Sequence, residues 1–111
     1  MALVDLQTKI NLEFDHADQA RSLGNEGQAR VCARRAAGIA IREYFTSRGT
    51  HIPSASAYDV LNLLKDDPLL PQHLKLVADH LTVRVTEEFK LPVNADLVAE
   101  ARLLCNWLLN K

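Results

Sequence analysis

The sequence predicts an all-α fold: an up-and-down bundle of about five helices in a single domain spanning residues 1–111. Three observations carry this. Apolar residues recur at three- and four-residue steps through separate segments. Glycines, prolines and N-capping side chains mark the ends of those segments, with Gly38 the exception inside one. No stretch joins strict alternation to hairpin turn chemistry, and no repeat, low-complexity tract or linker divides the chain.

The first helix is expected over 3–22, where Leu3, Leu6, Ile10, Phe14 and Ala17 form one stripe with acids in the gaps. Leu23-Gly24-Asn25-Glu26-Gly27 breaks it. A second helix, the longest, is expected over 26–47. Ala29, Ala33, Ala36, Ala37, Ala40 and Ile41 mark its tight side, and Val31, Ile39, Tyr44 and Phe45 widen it. Gly38 costs this helix about 1 kcal/mol relative to Ala, so its place implies close approach of another helix. Arg48-Gly49 ends it, and residues 50–55, with Pro53, form a loop.

Ser56 caps a short helix over 57–66 that carries Val60, Leu61, Leu63 and Leu64, with Asp59 at the capping-box position. Asp66-Asp67-Pro68 stops it. Pro71 opens a fourth helix over 71–89, with Leu74, Val77, Ala78, Leu81, Val85 and Phe89 on one stripe. Thr82, Val83, Val85 and Thr86 are β-branched and admit a strand, but helical spacing continues through them. After Leu91-Pro92, Asn94 is expected to cap a fifth helix over 95–109 bearing Leu97, Val98, Ala101, Leu104, Cys105 and Leu108.

Composition bounds the function. Hydrophobic residues are 48% and charged residues 24% of the 111, with net charge −1, so no global bias toward polyanions exists. Charge is uneven along the chain. Residues 1–20 sum to −3, residues 21–48 to +4 and the remainder to −2; every cation of the basic block is Arg. The acidic first helix is expected to pack beside the basic second one. Cys32 and Cys105 have no metal or redox spacing and read as buried free thiols of a reducing cytoplasm. No signal-peptide pattern and no apolar run of membrane-spanning length is seen. A cytoplasmic protein without membrane contact, metal or cofactor is expected.

The candidate binding residues are Arg30, Arg34, Arg35 and Arg42 on the second helix and His80 with Arg84 on the fourth. The arginines form a band that could grip phosphate or carboxylate. The reading preferred from the sequence is structural: they pair with Asp15, Asp18 or Glu13 of the first helix or face only water. The band lacks interleaved aromatics, a weak sign for nucleic acid. His73 and His80 are too far apart for one metal site without a third ligand. His80 and Arg84 share a face, but no nucleophile accompanies them, and no catalytic residue is assigned. Gly24–Gly27 lacks the strand and Lys-Ser/Thr of a phosphate loop. Leu69, Leu70, Leu103, Trp107 and Leu109 fall outside the core stripes and predict a homodimer.

The order and spacing of these segments resembles the HEPN domain family over residues 13–109. The marks are an early acidic helix, a long alanine-rich helix ending in an aromatic, and the short helix Tyr58-Asp59-Val60-Leu61-Asn62-Leu63-Leu64. The ending Asp96-Leu97-Val98-Ala99-Glu100-Ala101 with Trp107-Leu108 also fits. The resemblance implies a helical dimer, a partner such as a nucleotidyltransferase, or binding of nucleotide or RNA. Two departures narrow it. Ala57-Tyr58-Asp59 lacks the His that many members place before the acid. Members that cut RNA carry Arg and then His after four to six residues, whereas Arg84 is followed by Val85-Thr86-Glu87-Glu88-Phe89-Lys90-Leu91. Ribonuclease activity is therefore not carried over, and nothing in the pattern points to an enzyme. The expected function is a HEPN-like homodimer or partner-docking module, the alternative a nucleotide or RNA binder using the arginine band.

Overall fold

A computed structural model describes residues 2–50, 52, 56–83 and 96–110, with side chains from residue 6 onward. Its elements are α1 (Ala2–Ser22), α2 (Glu26–Thr46), α3 (Ala57–Lys65), α4 (Gln72–Thr82) and α5 (Leu97–Leu109). The fold is an all-α bundle, with no strand among the described residues. At 21 residues each, α1 and α2 are equally long. No helix among the described residues is long and apolar enough to cross a membrane.

The central element is α2, which packs against α1, α3 and α5, while α4 bridges α3 and α5 and α1 meets α5 only lightly. Small side chains make this possible. Ala29, Ala33, Ala36, Ala37 and Ala40 are at most 1% exposed, so three helices approach the α2 backbone closely. Gly38 is a point of close contact. A Cβ there would lie 3.1 Å from Ala57 Cβ and 3.3 Å from Ala57 Cα, at the first turn of α3. The expected close approach is present, and its partner is α3.

The α1–α2 turn is set by Gly24, whose φ of +79° suits glycine. Gly24 N donates to Arg21 O and Asn25 N to Ala20 O, the paired bonds of a Schellman ending. The Asn25 side chain then accepts from Gln28 N and starts α2 at once. Arg21 locks this corner: it reaches Glu26 at 2.6 Å and Asp96, the N-cap of α5, at 3.0 Å.

Several sequence expectations are corrected. The cap of α5 is Asp96, accepting from Ala99 N, and not Asn94, which lies outside the described residues. Helix α4 ends at Thr82, with Val83 extended at φ −70° and ψ 132°. The expected continuation to 89, with Val85 and Phe89, otherwise falls on residues outside those described. A reason for the early stop is visible. Arg34 Nε donates to Leu81 O at 2.7 Å and Nη2 to Val83 O at 3.2 Å, occupying carbonyl groups at the α4 terminus. The Thr82 hydroxyl also bonds back to Ala78 O and Asp79 O. Leu70 belongs to the core at 4% exposure, because the Asp67–Leu70 turn folds it inward.

Candidate functional site

Surface grooves and the arginine band are the places where chemistry could reside; three of the grooves border the candidate residues of α5 or gather Glu13 with two arginines. The band does not act as one unit. The Arg34 guanidinium is engaged by the end of α4, and burial together with the nearby charge of Arg30 holds its pKa below the ordinary value. Arg30 and Arg42 are half-buried and Arg35 is exposed. The expected pairing of these arginines with the acids of α1 is not found among the described residues. Asp18 pairs with Arg102 of α5 at 2.7 Å. Ile10, Phe14 and Ala17 of α1 share one buried apolar cluster with the α2 alanines, and no ion pair joins α1 acids to the α2 arginines among the described residues.

Helix α4 presents His80 toward α5, where Nδ1 and Glu100 Oε1 are 2.7 Å apart. Arg84 lies outside the described residues, so its spacing from His80 does not enter the geometry. His73 is exposed. Among the described residues, no cluster of three or more His, Cys, Asp or Glu side chains could hold a metal. Cys32 and Cys105 are buried and unpaired. Burial pushes the Cys105 thiol up to about 12, leaving little thiolate near neutral pH. At the far end of α2, burial and the Asp67 hydrogen bond at 2.6 Å raise the Tyr44 hydroxyl to about 12, tying the α3–α4 turn to α2.

A groove of about 660 Å³ runs between α1 and α5 past Gln7, Asn11, Phe14, Arg102 and Leu103. A second, about 340 Å³, runs between α4 and α5 past His73, Trp107, Leu103 and Asn106. Leu103 borders both and is 51% exposed, so α5 forms a ridge with a furrow on each side. Trp107 and Leu109 are partly covered, packing against the core from this same face. Leu69, at 57% exposure, stands in the α3–α4 turn. Of the five residues expected at a dimer face, Leu103, Trp107 and Leu109 thus share one element, while Leu69 and Leu70 do not.

The third groove, about 420 Å³, lies between α1, α2 and the start of α3, lined by Glu13, Arg35, Gly38, Ile39, Arg42 and Ala57. Glu13 was readable in sequence only as a candidate partner for arginine. Its position opposite Arg35 follows from the α1–α2 hairpin register, fixed by the Gly24–Asn25 turn. The i, i+3, i+4, i+7 spacing of Arg35, Gly38, Ile39 and Arg42 was the available signal for the other wall. No protein-family model, no curated protein and no solved structure matches this chain.

Proposed function

We propose that this chain is a HEPN-like docking bundle without enzymatic activity that pairs with a second copy of itself through the outward ridge of α5. The observation that carries the reading is Leu103, half exposed between two furrows that Leu109 and Trp107 help to line, on a helix whose Leu97, Val98, Ala101, Leu104, Cys105 and Leu108 are buried. The surroundings favour a second copy over a charged partner. Gln7, Asn11, Asn106 and Asn110 border the furrows, and amides both donate and accept, so a two-fold axis can pair them with themselves. Arg102, the cation of this strip, is held by Asp18 and lies 4.6 Å from the Phe14 ring centroid, so it does not repel its own copy. The HEPN resemblance supports pairing as well.

A nucleotide- or RNA-binding reading through the whole arginine band is weaker, because Arg34 is occupied by the α4 carbonyls. The test is site-specific cross-linking. With both native thiols buried, Asn106→Cys provides a single accessible thiol for a short bismaleimide. Pairing through α5 gives a covalent dimer at micromolar concentration for Asn106→Cys and none for Thr46→Cys, placed at the C-terminal end of α2. Equal yields from the two variants would refute it.

A further inference from the structure

We infer that the groove walled by Glu13, Arg35 and Arg42 binds a tetrahedral oxyanion that carries a hydrogen-bond donor, such as hydrogen phosphate or a phosphate ester with a neighbouring hydroxyl. The first observation is an orphan. Glu13 Oε1 is buried and has no hydrogen-bond partner among the described residues. A buried acceptor left unmade is uncommon, and because the Glu13 residue is only half-buried, a rotation of its carboxylate toward the groove would give that oxygen a donor on the occupant. The second is the state of the two arginines lining the same groove. Neither Arg35 nor Arg42 has an acid three or four residues away on α2, and neither forms an ion pair among the described residues. Lys9, one turn before Glu13, is exposed and likewise makes no ion pair with it among the described residues.

The floor between the arginines is made by Gly38, Ile39 and Ala57, which offer no competing charge. Arg35 and Arg42 stand two turns apart, about 10 Å along the axis, within converging reach of two long side chains over that floor. Two cations and one carboxylate leave the groove with one net positive charge, suited to an anion. The carboxylate adds a condition. It accepts hydrogen bonds and cannot donate, so it meets a protonated or hydroxylated oxyanion favourably and repels one that has only lone pairs. The arginine forks take the unprotonated oxygens.

This chemistry separates phosphate from sulfate, which carries no proton near neutral pH. The groove shares no lining residue with the two α5 furrows, so its test stands apart from that of self-pairing. The experiment is isothermal titration of the full chain with inorganic phosphate, glycerol 3-phosphate and sulfate in low-salt buffer. Phosphate or glycerol 3-phosphate is expected to bind about tenfold or more tightly than sulfate, a selectivity worth roughly 1.4 kcal/mol. The stronger of the two identifies the source as free phosphate or ester. Glu13→Gln is expected to bring sulfate within about threefold of phosphate, and Arg35→Ala with Arg42→Ala to abolish binding while the melting temperature is retained. Titrations flat into the millimolar range for all three anions overturn the assignment. So does sulfate binding as tightly as phosphate in the wild-type chain, a measurement that needs no variant to fold.

Discussion

Replacing Arg34 by Met is expected to destabilise the fold substantially, although the change lies on what reads as a surface arginine band. Arg34 makes two hydrogen bonds to backbone carbonyls 47 and 49 residues away, at 2.7 Å to Leu81 O and 3.2 Å to Val83 O. A charge-assisted bond of this kind contributes about 1.5–3 kcal/mol, and the longer one belongs at the low end. Against this stands the desolvation of a guanidinium that is half-buried, which the substitution relieves. Met and Arg have similar helix propensity, so α2 itself is unaffected. The net loss is roughly 2 kcal/mol, or a fall of about 8–16 °C in melting temperature for a domain near this size. Arg34→Lys, with one ammonium in place of a fork, recovers part of it. The matched control is Arg35→Met, on an exposed side chain without a partner among the described residues, expected within about 0.5 kcal/mol of wild type. Thermal unfolding followed by circular dichroism decides. An Arg34→Met melting temperature equal to wild type, or an Arg35→Met loss as large, would refute the reasoning.

Further predictions concern packing, charge and chemistry. Gly38→Leu places a Cβ 3.1 Å from Ala57 and three more carbons beyond it; overpacking of about 1–3 kcal/mol exceeds the propensity gain of about 1, so the melting temperature falls. Arg21 holds the Glu26 and Asp96 carboxyls below their ordinary range, so this corner's stability is complete above about pH 5 and is lost as pH falls through the lowered values. Asp96→Asn keeps a capping oxygen but flattens that acid slope in a series of melts. Cys32 and Cys105 stay unlabelled by maleimide in the folded chain at mildly alkaline pH and react once it is unfolded in urea, as read by intact mass. Purified chain leaves RNA intact in a gel assay, since no Arg in the sequence is followed by His after four to six residues.

What the sequence revealed and what it withheld follow from the range of the interactions. The helices α1 to α3 were legible because periodicity, the Ser56 cap, the Gly24–Gly27 break and the Gly49 stop act within a few residues, whereas the capping role of Asn25 emerged only with the structure. The end of α4 was not, because the group meeting its carbonyls, Arg34, comes from a distant helix. The start of α5 was misplaced because Asn94 and Asp96 are both competent caps, and the winner also bonds Arg21 of α1. The alanine and glycine run announced close approach of another helix, and the structure adds its identity, with Gly38 meeting Ala57 of α3. The candidate residues fared differently. Spacing alone grouped Arg34 with Arg30, Arg35 and Arg42, yet only the tertiary fold shows that one fork turns inward while Arg35 and Arg42 share a groove with Glu13. Leu103 was recognisable as an apolar residue off the core stripe, but the furrows beside it require α1 and α4 in place.

Sedimentation velocity of the wild-type chain and Leu103→Glu across a micromolar concentration series tests self-pairing through α5 most directly. Leu103 is 51% exposed, so the substitution leaves the folded protomer intact while placing two carboxylates against each other across the ridge. The expected result is a wild-type species of twice the 12.4 kDa chain mass and a Leu103→Glu species at the single-chain mass, with equal melting temperatures at low concentration. A wild-type chain that sediments at 12.4 kDa throughout, or a Leu103→Glu dimer as stable as wild type, would contradict it.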